Sequence, residues 1–169
     1  MNNSFHTAVM ITLVIIFQLM INNFINPGPY IFISLVPFAV SLIPRNTPIN
    51  LTIFLCFVIG LTVDIFSRGV IGVNAAAATA ISVLRAPIYR ITINRDRQDL
   101  TPIPEIRQCG FTKYLSYISI VCLAYMFIYC SLESMGVRSF LFFIPQFLLS
   151  SAASIILSCC FSHTVGSRQ

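Results

Sequence analysis

Asp64 is one of only five acidic residues in this chain, and it closes an otherwise apolar run. A carboxylate in such sequence is costly to bury, so some demand of structure or function put it there. Arg68 follows at i+4, a spacing that lets the two side chains pair if the helix continues that far. The glycine-bearing turn after it offers backbone N–H groups, and the next helix offers an N-terminus to cap. Three roles stand open for Asp64: fixing the turn or pairing with Arg68, touching a partner subunit, or binding a substrate or ion. Acid–base catalysis needs a second group. Glu133 is the only other acid in an apolar run, near the outer end of its own segment. His6 and His163 lie towards the chain ends. There is no Gly-x-Ser-x-Gly, no HExxH and no phosphate-binding glycine loop. None of the six cysteines forms a CxxC pair, and they read as small apolar packing residues. The expectation is a protein that is not an enzyme, with no catalytic, cofactor-binding or metal site.

The elements that must position Asp64 are set by composition. Of 169 residues, 57% are hydrophobic and only 9% are charged, against about 25% charged in soluble domains. Mean hydropathy is +0.88. So few charges cannot cover a water-soluble surface, which points to an integral membrane protein. About 20 apolar residues cross a bilayer. Six segments are expected to do so, over 7–25, 30–43, 48–66, 70–84, 113–135 and 139–162. The second is short and carries Pro37, so a tilted, kinked or partly re-entrant helix is an alternative there. The fold expected is all-α, a single transmembrane domain over 1–169 with no soluble domain.

The net charge of +5 is placed beside spans, where it reads as a topology signal and not as a nucleic-acid surface. Arg85, Arg90, Arg95, Arg97, Arg107 and Lys113 fall between the fourth and fifth spans. The positive-inside rule makes that stretch cytoplasmic, and with six spans both termini as well. The loop 86–112 also contains Pro87, Pro102 and Pro104. It is expected to be an extended cytoplasmic connection.

Small residues mark two helices. Gly69, Gly72, Ala75, Ala76, Ala77, Ala78 and Ala80 leave the fourth span with little bulk, and Ser150, Ser154 and Ser158 form an i+4 stripe in the sixth. Such residues let helices approach closely in lipid. Packing within the chain or a seam for a partner's helix both fit. Asn22, Asn23 and Asn26 precede Pro27, Gly28 and Pro29. Asn side chains can satisfy backbone groups freed by proline, so Asn26, Pro27, Pro29 and Pro37 are read as a structural corner.

In order along the chain come Asn26-Pro27-Gly28-Pro29-Tyr30, Leu35-Val36-Pro37-Phe38, Gly60-Leu61-Thr62-Val63-Asp64-Ile65-Phe66-Ser67, Asn74-Ala75-Ala76-Ala77 and Leu84-Arg85-Ala86-Pro87. This pattern resembles the rod-shape-determining membrane protein MreD family in its Bacteroidetes form. The likeness runs over nearly the whole chain, and Gly-Leu-x-x-Asp with the alanine run and Arg-x-Pro is its specific part. The chain departs from the family pattern in the added Gly-Pro of Asn-Pro-Gly-Pro-Tyr.

The resemblance implies a non-enzymatic subunit of the cell-elongation complex in the bacterial cytoplasmic membrane. It would support cell shape and lateral peptidoglycan synthesis by binding the scaffold MreC, and link directly or indirectly to the MreB filament and to RodA with its transpeptidase partner. In that reading Gly60, Asp64, Arg68, Gly69, Gly72, Asn74 and Ala76 form a helix hairpin that shapes the partner contact. The basic loop would face MreB, anionic lipid or both. The family is also similar in architecture to the substrate-binding membrane subunits of energy-coupling-factor transporters. That likeness supplies the alternative, small-molecule uptake with Asn22, Asn23, Asp64, Asn74 and Glu133 lining a pocket.

Overall fold

The structure is a computed structural model that describes residues 2–24, 32–67, 70–93, 110–136 and 143–166. It is helical, with no strand among the described residues. The helices are α1 (Asn2–Phe24), α2 (Val36–Ser41), α3 (Ile49–Phe66), α4 (Val73–Thr92), α5 (Phe111–Gly136) and α6 (Phe143–Gly166). Four of them are long and apolar enough to cross a membrane, over Phe5–Phe24, Ile49–Phe66, Thr112–Ser134 and Phe143–Phe161. Their outer faces are oily: Phe5, Leu13, Phe24, Phe54, Phe127 and Ile156 are each more than half exposed. The interior, by contrast, holds Gln18, Asp64, Asn74, Arg85, Gln146 and a set of serines. An apolar exterior around a core that also holds polar groups suits lipid, where such groups must find partners inside the protein. The four apolar helices point to a membrane protein.

Two expected spans take a different form. The second segment is helical only over Val36–Ser41, about 9 Å of rise. Residues 32–35 are not helical, and the whole stretch 34–41 is buried. Pro37 stands in the first turn of α2, where a missing N–H costs nothing. The fourth helix runs on through Arg85, Pro87 and Arg90 to Thr92. The start of the expected 86–112 loop is therefore helix. Polar residues keep α4 out of the set apolar enough to span, although it is 20 residues long. Asn26, Pro27, Pro29, Arg68, Gly69, Arg95, Arg97 and Arg107 lie outside the described residues.

Side-chain contacts fix the directions. The Asn23 amide reaches the Phe66 carbonyl at 3.5 Å, so the C-terminal ends of α1 and α3 lie together. α4 returns antiparallel to α3, with Gly60 against the backbone of Asn74 and Ala75. α5 runs against α4: Tyr125 bonds Asn74, and Tyr117 meets Tyr89 edge-on, 5.5 Å between ring centres. α6 runs against α5, through Gln146 to Glu133 and Cys122 to Ser158. The bundle thus has an Asp64 end and an Arg85 end. The segment 32–44 runs between them, from Phe32, stacked on Tyr129, to Ile43 and Pro44, which accept bonds from Arg85.

Candidate functional site

Asp64 is 1% exposed. It is enclosed between the end of α3 and the start of α4. Its Oδ2 accepts from the N–H of Gly72 at 2.9 Å and of Ala75 at 3.0 Å. Its Oδ1 accepts from the Asn74 N–H at 3.2 Å and the Asn74 Nδ2 at 2.8 Å. An α-helix leaves its first N–H groups without intrahelical partners. Here the Val73 N–H points to the Val70 carbonyl at 3.4 Å, and Asp64 supplies the acceptors for Asn74 and Ala75. Asp64 therefore caps α4 from the neighbouring helix. The positive end of the α4 dipole adds to the fit.

Two glycines make this geometry accessible. Gly72 has φ of 99°, a left-handed turn that other residues adopt at a cost. A Cβ on Gly60 would lie 2.5 Å from the Ala75 Cα and 2.6 Å from the Asn74 oxygen. Only glycine lets α3 come this close to the capped turn. Ala75, Ala77 and Ala78 of α4 are buried, while Ala76 is exposed.

The carboxylate is the first member of a longer polar chain. The Tyr125 hydroxyl donates to Asn74 Oδ1 at 2.6 Å. The Ser34 hydroxyl accepts from the Val36 N–H at 3.3 Å. The Ser154 hydroxyl accepts from the Ser34 N–H at 3.0 Å, and Ser150 from the Phe32 N–H at 2.9 Å. From α1, Gln18 accepts from the Leu35 N–H and donates to the Ile33 carbonyl at 3.0 Å. Non-helical backbone inside a membrane protein must be satisfied by its neighbours, and these side chains do so for 32–35. The serine stripe of α6 is thus turned inward: Ser150, Ser154 and Ser158 are each 0% exposed. Of the two readings open for the stripe, packing within the chain is the one its burial fits.

Arg85 does the corresponding work at the other end. It is 8% exposed. Its Nη1 donates to the Val40 carbonyl at 3.0 Å and the Ile43 carbonyl at 2.7 Å, and its Nη2 reaches the Pro44 carbonyl at 3.4 Å. Helix C-termini expose carbonyls and carry partial negative charge, so a guanidinium there replaces the missing bonds. Beside it the Arg45 guanidinium lies 4.0 Å over the ring of Tyr89. Pro87 and Arg90 are exposed on α4, and Lys113 is half-buried at the start of α5.

Chemistry at Asp64 would need a nucleophile or base facing it. Its neighbours are N–H donors, each already bonded to it. Glu133 accepts from Gln146 at 2.6 Å, on the far helix pair. Among the described residues no group of three or more His, Cys, Asp or Glu could hold a metal ion. The sequence reading passed over Gln18, Ser34 and Tyr125. A lone Gln in the middle of an apolar helix was the available signal for the first.

Compared with protein-family models, curated proteins and solved structures, the chain matches none.

Proposed function

We propose that this chain is a non-enzymatic, MreD-like membrane subunit of a bacterial cell-elongation complex. It crosses the cytoplasmic membrane six times with both termini inside, and binds an MreC-like scaffold. Through that scaffold it joins the MreB filament and the RodA–transpeptidase synthase. One observation carries the reading: Gly60, Asp64, Asn74 and Ala75, which bear the specific part of the resemblance, meet in a single capped hairpin. Their polar groups bond one another, which suits a shaped scaffold better than a reaction centre. The large apolar exterior is the remaining surface with which such a protein can work. Capture of MreC by the tagged protein in mild detergent tests this, alongside depletion in the host. Association plus loss of rod shape is expected. No association, with normal shape after deletion, contradicts it.

A second reading is small-molecule binding at the Asp64 end. The Asn22 Nδ2 favours it, since this donor is buried without a hydrogen-bond partner. Against it, Asp64 and Asn74 bond each other, so neither is available as pocket lining. A saturable thermal shift with one small ligand on the purified protein would give this reading precedence.

A further inference from the structure

We propose that α1 is a movable cover over the non-helical stretch 32–35, held shut by Gln18 and loosened by Asn22. The first observation is how narrowly α1 is seated. Over 5–24 only Val14, Gln18 and Ile21 are buried, a single file at helical spacing. By comparison, α5 is buried at nine positions between 114 and 130. The outer face of α1 is oily, with Leu13, Ile16 and Met20 each at least half exposed. In lipid, apolar surface gains only closer packing by leaving acyl chains for protein, so a narrow seam holds weakly. The seat of α1 therefore rests on Gln18. The Phe17–Phe161 ring contact at 4.8 Å and a long 3.5 Å bond from Asn23 to the Phe66 carbonyl add to it.

The second observation is what Gln18 covers. Its side-chain oxygen accepts from the Leu35 N–H, and its Nε2 donates to the Ile33 carbonyl at 3.0 Å and to Asn22 Oδ1 at 2.9 Å. The stretch 32–35 is not helical, so its backbone depends on such partners. The third observation is an opposing group one turn along α1. The bond from Leu35 fixes which end of the Gln18 amide is the oxygen, so Asn22 must turn its own oxygen toward Gln18. That leaves the Asn22 Nδ2 buried with no hydrogen-bond partner. An orphaned donor destabilises the seated position. Asn22 lies two residues from the end of α1, so outward movement carries this amide toward interfacial water. One side chain closes the seat and its bonded neighbour opens it, which makes α1 a two-position element. The motion is independent of which complex the chain joins.

The test is the distance between spin labels on the full-length protein in phosphatidylcholine nanodiscs, with the native cysteines replaced by alanine. Labels at Leu13→Cys and Phe127→Cys, both exposed, report α1 against α5. Labels at Phe54→Cys and Phe127→Cys report α3 against α5 as the control. Two distances are expected for the first pair and one for the second. Gln18→Leu should raise the ratio of the displaced to the seated α1 distance about ten-fold. Asn22→Thr should lower it, because a hydroxyl keeps an acceptor for Gln18 and sends its own proton to the carbonyl four residues back. A second α1 distance that emerges only in Gln18→Leu also supports the proposal. One unchanged α1 distance in both the parent and Gln18→Leu overturns it. So does Gln18→Leu disturbing the α3–α5 distance as much as the α1–α5 distance, since α1 is then an inseparable part of the bundle. A rise or no change in the displaced population of Asn22→Thr overturns the opposing role of Asn22, and with it the two-position device.

Discussion

At the first turn of α4 a buried carboxylate faces N–H groups, and near the other end of the same helix a buried guanidinium faces carbonyls. About 16 Å of helix separates Asn74, which bonds the one, from Arg85. Both charges are solvated by backbone dipoles. They differ in what they hold. Asp64 ties two consecutive helices, α3 and α4, through a short turn. Arg85 ties α4 to a segment some 40 residues earlier in the chain. The Asp64 end therefore shapes a local hairpin, and the Arg85 end anchors the short α2 in the interior. A charged residue in an apolar chain need not do chemistry; it can complete a helix end that water cannot reach.

The largest expected effect comes from Gly60→Ala, which attacks the Asp64 end through its backbone approach. The new Cβ meets main-chain atoms of α4 that cannot yield. A loss of about 3 kcal/mol is expected from overpacking, read as a fall in the thermal unfolding midpoint. Arg85→Gln breaks the other end. It leaves the carbonyls of Val40 and Ile43 short of donors, at about 2 kcal/mol. Its signature is selective: cysteine-labelling at Ser41→Cys should rise while labelling near Gly72 stays low. If both regions open together, the two ends are not separate. Tyr125→Phe gives the smallest effect. It removes one donor to Asn74, about 1 kcal/mol.

How legible was this beforehand? The apolar helices followed from residue composition, because lipid-facing length is a one-dimensional property. Capping of the next helix by Asp64 was among the readings open to the sequence, since Gly72 and Asn74 follow at a suitable distance. Arg85 was read as a membrane exit. Its carbonyl partners lie at 40, 43 and 44, and no local pattern announces a contact that distant in sequence. The segment 30–43 was read as a short span because its residues are apolar. Among its described residues, Leu35, Val36, Phe38, Ala39 and Val40 are each no more than 2% exposed, so their apolar side chains meet protein. Hydropathy cannot tell burial in protein from burial in lipid.

The most direct measurement is thermal unfolding of Asp64→Asn beside the native protein, with capture of the proposed MreC-like partner scored on the same samples. An amide at this position turns an NH2 group toward N–H donors, leaving some unsatisfied. The account predicts a loss of about 3 kcal/mol in stability, with capture retained by whatever fraction stays folded. An unchanged unfolding midpoint together with lost capture would place Asp64 on a contact surface and contradict it.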